Sequence, residues 1–237
     1  MKTLEITLLL CIISLTINAQ KVIEKKIDYK NQDIDIEVKF ASEIVVKTWD
    51  ESIVYFKADL YTKDGKFIDL YKLNIDKSTN KISITSEAMP VFKATREDCL
   101  KNYPHQKRRC YNTGDLYEFN YVIYIPKNAR FKISSINGNL KSELIEGEFT
   151  ANLINGDIDI TKYAGDLNLK TINGEIDLKI INTSLVAETI HGDIYADEKL
   201  KLKSTNRHVG QKISGRTADS KNSLRLHTIN GNMYLRL

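Results

Sequence analysis

Ile154-Asn155-Gly156-Asp157-Ile158 is one of five copies of a short phrase that decides the fold of this chain. The others are Ile136-Asn137-Gly138-Asn139-Leu140, Ile172-Asn173-Gly174-Glu175-Ile176, Ile190-His191-Gly192-Asp193-Ile194 and Ile229-Asn230-Gly231-Asn232-Met233. The first four lie 18 residues apart. A fixed period of this length marks a unit that cannot bury its apolar face alone and must stack on its neighbours. A finer period runs inside it: Glu146-Gly147-Glu148-Phe149, Ala164-Gly165-Asp166-Leu167 and Asn182-Thr183-Ser184-Leu185 sit halfway between copies. Between turns the apolar positions alternate, as in Phe149, Ala151 and Leu153 or Ile176, Leu178 and Ile180. Period two puts one face of a strand inward. Asn137, Gly138, Asn155, Gly156, Asn173, Gly174, Gly192, Asn230 and Gly231 are read as structural turn residues. Glycine suits a turn that needs positive φ, and asparagine tolerates the same region.

The expected architecture is all-β: a β-solenoid of about 18 residues per coil over residues 127–237, preceded by an N-terminal β-strand region at 20–126. The alternative is an antiparallel meander with Asn-Gly hairpin turns. Four copies in strict register favour stacking. The pattern drifts late: His208-Val209-Gly210 falls one coil after Ile190, but the next Asn-Gly arrives three residues late. Residues 204–222 are polar and are read as a looser coil. Upstream, Ile34–Val38, Ile44–Val46, Ile53–Phe56 and Ile82–Ile84 read as strands, with turns at Asp64-Gly65 and Ser78–Asn80.

Residues 1–19 read as an export signal. Lys2 precedes an apolar run from Leu8 to Ile17, and cleavage after Ala19 leaves Gln20 first. A retained signal anchor is the other reading; the run is short for a membrane span. Cys11 sits inside the run rather than after a small residue, which argues against lipidation. Cys99 and Cys110 then remain, and an even pair in an exported chain suggests a disulfide over two free thiols. No further long apolar run follows, so no transmembrane segment is expected in the mature chain. The net charge of +4 is too mild for a dedicated nucleic-acid protein.

Tyr121-Val122-Ile123-Tyr124-Ile125-Pro126, followed by Ile136-Asn137-Gly138 and the later Gly-Asp/Glu-Ile repeats, resembles the bacterial putative-adhesin domain family of unknown function. The resemblance spans about residue 30 to the C-terminus. It implies an exported, β-rich, non-enzymatic protein of the cell envelope, and it carries no catalytic or ligand residues. The stretch 88–118 departs from the family pattern and looks like an insertion.

Catalytic signatures such as His-Glu-x-x-His, Gly-x-Ser-x-Gly or a phosphate-binding glycine loop are absent from the sequence. A carbohydrate-active enzyme would need paired acids or calcium in a cleft. No cofactor and no metal is expected. Stacked coils would align Asp157, Glu175 and Asp193 in one column and Glu148 with Asp166 in another, where Ca²⁺ or plain solvation would relieve the repulsion. Asn137, Asn155 and Asn173 would form an amide ladder, with His191 replacing the next member. The binding candidates lie in the excursion: Lys93, Arg96, Lys101, Tyr103, His105, Lys107, Arg108 and Arg109. Bases interleaved with aromatics suit an acidic glycan or another anionic envelope component; a solvated hairpin is the plainer reading. A scaffold that associates through its coil ends is the alternative function, because Leu235-Arg236-Leu237 reads as a last strand with an open edge.

Overall fold

The computed structural model describes residues 20–105, 110, 116–205, 207–217 and 220–237. The leader reading at 1–19 falls outside them. The described chain is all-β with one α-helix. In chain order the first elements are β1 (Gln20–Asp28), β2 (Asp33–Glu37), β3 (Phe40–Trp49), β4 (Ile53–Thr62), β5 (Lys72–Lys77), β6 (Lys81–Glu87), α1 (Met89–Asn102) and β7 (Tyr117–Pro126). Then come β8 (Ala129–Ser142), β9 (Ile145–Asn155), β10 (Ile158–Ile160), β11 (Tyr163–Ala164), β12 (Leu167–Asn173) and β13 (Ile176–Lys179). The chain ends with β14 (Thr183–His191), β15 (Ile194–Ala196), β16 (Lys203–Thr205), β17 (Gln211–Arg216), β18 (Asn222–Asn230) and β19 (Met233–Arg236).

The repeated phrase produces parallel pairing. Phe131 of β8 lies beside Phe149 of β9, and Phe149 beside Leu167 of β12, each an offset of one period. After the glycine turn the chain enters a second ladder, where Leu140, Ile158 and Ile176 stand side by side on β8, β10 and β13. Asn-Gly therefore marks corners between ladders rather than hairpin turns. Both ladders send their alternate residues into a single hydrophobic cluster, so the core lies between them. Phe131 and Phe149 stack within it at 4.5 Å between centroids.

The N-terminal region continues the same ladders. β2 pairs in parallel with β6 on one side and with β8 on the other, and β3 does the same with β7 and β8. Antiparallel strands close these ends: β5 on β6, β4 on β7 and β1 on β4. Edge strands β1, β5 and β16 carry Lys21, Lys72 and Lys203, the kind of charge that discourages pairing with another chain.

The fifth copy does not follow the fourth in space. β18 lies between β12 and β14, with Leu224 beside both Leu167 and Leu185. β19 likewise lies between β13 and β15, with Met233 beside both Ile176 and Ile194. Two expectations are corrected here. Residues 204–222 are not a looser coil in series, because β17 turns back to pair antiparallel with β14 and β16 pairs with β17. The last strand is not an open edge either, since Leu235 is paired on both sides and buried.

The corner glycines set how closely the levels approach. A Cβ on Gly156 would sit 2.1 Å from the Gly138 carbonyl oxygen, one on Gly174 2.1 Å from that of Gly156, and one on Gly231 1.9 Å from that of Gly174. Real side chains do not tolerate such distances. Buried threonines finish the corner: Thr171 Oγ1 donates to the Gly156 carbonyl at 2.8 Å, Thr228 Oγ1 to Gly174 and Thr189 Oγ1 to Gly231. This is why a hydroxyl occupies an otherwise apolar stripe. Gly231→Ala is expected to lower stability by about 3 kcal/mol or more. The readout is a lower urea midpoint at unchanged slope, with Asn152→Ala on the outer face as a near-neutral reference.

Candidate functional site

Helix α1 opens with Pro90 in its first turn, a position where the missing N–H costs nothing. It runs for 14 residues. Its C-terminal end is closed by the Tyr103 N–H donating to the Cys99 carbonyl at 2.8 Å. An aromatic seat holds the helix on the ladders. Phe92 meets Phe40 edge-on at 5.0 Å, Tyr117 at 4.6 Å and Phe119 at 6.0 Å, and Val91 is buried beneath. Lys66 pairs with Asp98 at 3.2 Å. Cys99 and Cys110 form the expected disulfide, with Cα atoms 5.6 Å apart, fastening the last helical turn to the segment that follows.

Lys93, Arg96, Lys101, Tyr103 and His105 are all exposed, whereas Lys107, Arg108 and Arg109 lie outside the described residues. The helix brings Lys93 and Arg96 to one open groove of about 740 Å³, floored by Met89, Phe92 and Leu100 and bordered by Glu97. Lys101, Tyr103 and His105 are not among its lining residues. The arrangement offers apolar surface beside cationic heads, which suits a ligand with both anionic groups and an apolar face.

The turn carboxylates do a different job. Asp157 Oδ1 accepts the Glu175 N–H at 2.8 Å, as Asn139 Oδ1 accepts the Asp157 N–H one level earlier. Asn232 stands between the next two acids, its Oδ1 accepting the Asp193 N–H and its Nδ2 donating to Glu175 Oε1 at 3.2 Å. In the other column Glu148 pairs with Arg130 at 2.8 Å, and Asp166 Oδ1 accepts the Ser223 N–H at 2.7 Å. These groups serve as backbone acceptors and ion-pair partners. The amide ladder runs Asn137, Asn155, Asn173, Asn230, each Nδ2 donating to the previous Oδ1 at 2.7–2.9 Å. His191 comes after Asn230, not after Asn173. Among the described residues no three His, Cys, Asp or Glu side chains cluster to hold a metal.

Sequence reading missed an aromatic pair. Tyr195 and Tyr234 stack at 5.4 Å and 10° beside the Asp177–Arg236 ion pair, bordering a hollow of about 650 Å³. Both tyrosines sit three residues after a corner glycine, and that shared offset was the available signal.

No family model and no curated protein matches the chain. Solved structures do. A putative cell adhesion protein from Clostridium sporogenes ATCC 15579 superposes with a TM-score of 0.58 at 11% identity, over 92% of this chain and 99% of that one. A putative adhesin from Bacteroides fragilis NCTC 9343 aligns over 91% of this chain and 97% of its own at 10% identity, with a TM-score of 0.40. At these identities the first likeness speaks for the fold.

The seat of α1 reaches a buried phenol pair. Tyr71 packs against Phe119 at 5.6 Å and shares a 3.1 Å hydrogen bond with Tyr121. Burial raises the pKa of Tyr71, and burial with the adjacent Tyr71 raises that of Tyr121 much further. The unfolded chain then loses these protons first. The stability they carry is intact below about pH 10, where unfolded tyrosines ionise, and falls as the pH rises toward the folded values. Tyr121→Phe is expected to cost about 1 kcal/mol at neutral pH, and to flatten the alkaline loss in denaturant titrations.

Proposed function

We propose that this chain is an exported, non-enzymatic, adhesin-like envelope module. In this reading residues 127–237 form a β-solenoid of about 18 residues per coil, as the parallel one-period offsets support. The N-terminal β region, residues 20–126, stacks on it and presents the insertion at 88–118. The observation that carries the proposal is helix α1, which holds Lys93 and Arg96 beside an open apolar groove. Its disulfide and aromatic seat fix that face in advance, which lowers the ordering cost of binding.

The partner is an acidic glycan or another anionic envelope component, met outside the cell or in the periplasm. The fold likeness to the Clostridium sporogenes protein, itself described as a putative cell adhesion protein, supports the same class of role. The disulfide suits an oxidising compartment. No helix among the described residues is long and apolar enough to cross a membrane. The rival in which coil ends assemble into a scaffold loses its main support, because β19 is internal.

Residues 20–237 applied to an array of acidic and neutral glycans and anionic vesicles are expected to bind the acidic members, less so at high salt. Lys93→Ser/Lys101→Ser, which removes two exposed charges of the helix, is expected to weaken that binding about tenfold, roughly 1.4 kcal/mol. Lys107→Ser/Arg108→Ser/Arg109→Ser tests the rest of the excursion. Equal retention of both variants, or no binding by the parent, would refute the patch.

A further inference from the structure

The displaced fifth copy defines a slot. Its walls are β12 with β13 on one side and β14 with β15 on the other, and its filling is residues 222–237. Both walls read the same register: Leu224 faces Leu167 and Leu185, Thr228 faces Thr171 and Thr189, and Met233 faces Ile176 and Ile194. Leu167 and Leu185 are themselves one period apart, as are Phe149 and Leu167, which pair directly. The walls could therefore close on each other without a shift of frame. The slot exists because something fills it.

The filling carries side chains matched to this place. Asn230 Nδ2 extends the amide ladder to Asn173 Oδ1 at 2.7 Å. Asn232 puts a neutral amide between Glu175 and Asp193, bonded to both levels, where direct closure would set two carboxylates side by side. Arg236 pairs with Asp177. Gly231 admits the close carbonyl of Gly174, and its own carbonyl lies where a Cβ on Gly192 would stand 2.1 Å away. Leu224, Leu226, Met233 and Leu235 are buried. This is a strand-shaped receptor with its own ligand tethered to it.

We propose that this slot is a strand-acceptor site whose ligand is residues 222–237, taken in cis or from a second copy of this chain. All the strand pairing of the filling is to the slot walls, so a segment supplied by another molecule repeats that pairing. That equivalence is the condition for exchange of an identical element between chains. Chain order adds an opportunity. Both walls precede the filling in the sequence, so the slot can be completed by whichever copy of 222–237 arrives first. A short tether holds the cis segment at an effective concentration in the mM range, so a free segment competes as it approaches that concentration. The donated unit is an extended strand pair, and the recognition is main-chain pairing with side-chain register.

Lys170 and His227 are register partners on β12 and β18, and both side chains reach the surface. The full chain with Lys170→Cys/His227→Cys, treated with a short bis-maleimide, is expected to give an internal 170–227 crosslink; its absence would overturn the slot itself. The full chain with Lys170→Cys alone, refolded with about 1 mM synthetic peptide of residues 222–237 bearing His227→Cys and then treated with the same bis-maleimide, is expected to gain the mass of the peptide and the linker. Capture should exceed that of a scrambled peptide at least tenfold. No capture, or equal capture of the scrambled peptide, would overturn acceptance in trans. Asn168→Cys with a peptide bearing Arg225→Cys, the neighbouring register pair, repeats the measurement should the first variant fold poorly.

Discussion

The constraint on which the C-terminal ladders depend is the approach of backbone to backbone at the corners. Glycine carbonyls sit where the Cβ of the next level would be, about 2 Å from its ideal position. Strand spacing in a ladder is fixed by hydrogen bonding. A corner that packs this tightly therefore has no room for any side chain, and the phrase must repeat glycine at each level that stacks. Once the corner is fixed, register follows, because the asparagine before it bonds to its counterpart and the residue after it accepts the next N–H. A one-residue slip would break both chains of bonds and turn the apolar stripe outward.

This constraint explains which parts of the fold were legible in the sequence. The period, the place of the corners and the inward residues were readable because each copy states its own needs locally. The expected positive φ holds only at Gly138 of the phrase, and at Gly156, Gly174, Gly192 and Gly231 it is the close carbonyl that demands glycine. The spatial order of the copies was not readable. Leu185 sits one period after Leu167 and would pair with it as Leu167 pairs with Phe149, so periodicity is silent about whether another level lies between them. Side-chain chemistry is silent too: Asn232 sits between Glu175 and Asp193, but Asn139 is as neutral at the first level and Asp157 and Glu175 are acids on adjacent levels. The continuation of the ladders into β2 and β3 was hidden for a similar reason. Ala41, not glycine, meets Gly138 there, with a bulge between Phe40 and Glu43 absorbing the mismatch.

The candidate site was legible in part. The bases and the cysteine pair stand out in composition, but their geometry depends on where the helix begins, and Pro90 marks that start more firmly than any apolar period does. The helix shows almost no amphipathic signal because its attachment is concentrated in Val91 and Phe92 and in the disulfide. A helix held at so few points leaves much of its circumference for other uses. Tyr195 and Tyr234 were overlooked since they become neighbours only through the insertion of the fifth copy.

Charge placement separates the structural surface from the one proposed for binding. The corner carboxylates look like a metal column on paper, yet each has an N–H, an amide or a cation to serve within the ladder. An acceptor committed to the backbone cannot change partner without loosening a corner, so these columns are ill suited to ligand exchange. The groove beside α1 is the opposite case. Its apolar floor is open and the Lys93 head projects from its border. Binding there would bury apolar surface and neutralise charge without displacing any bond on which the stack depends. In the proposed reading recognition lies on the 88–118 excursion, and the repeated levels then keep only the bonds that set their register.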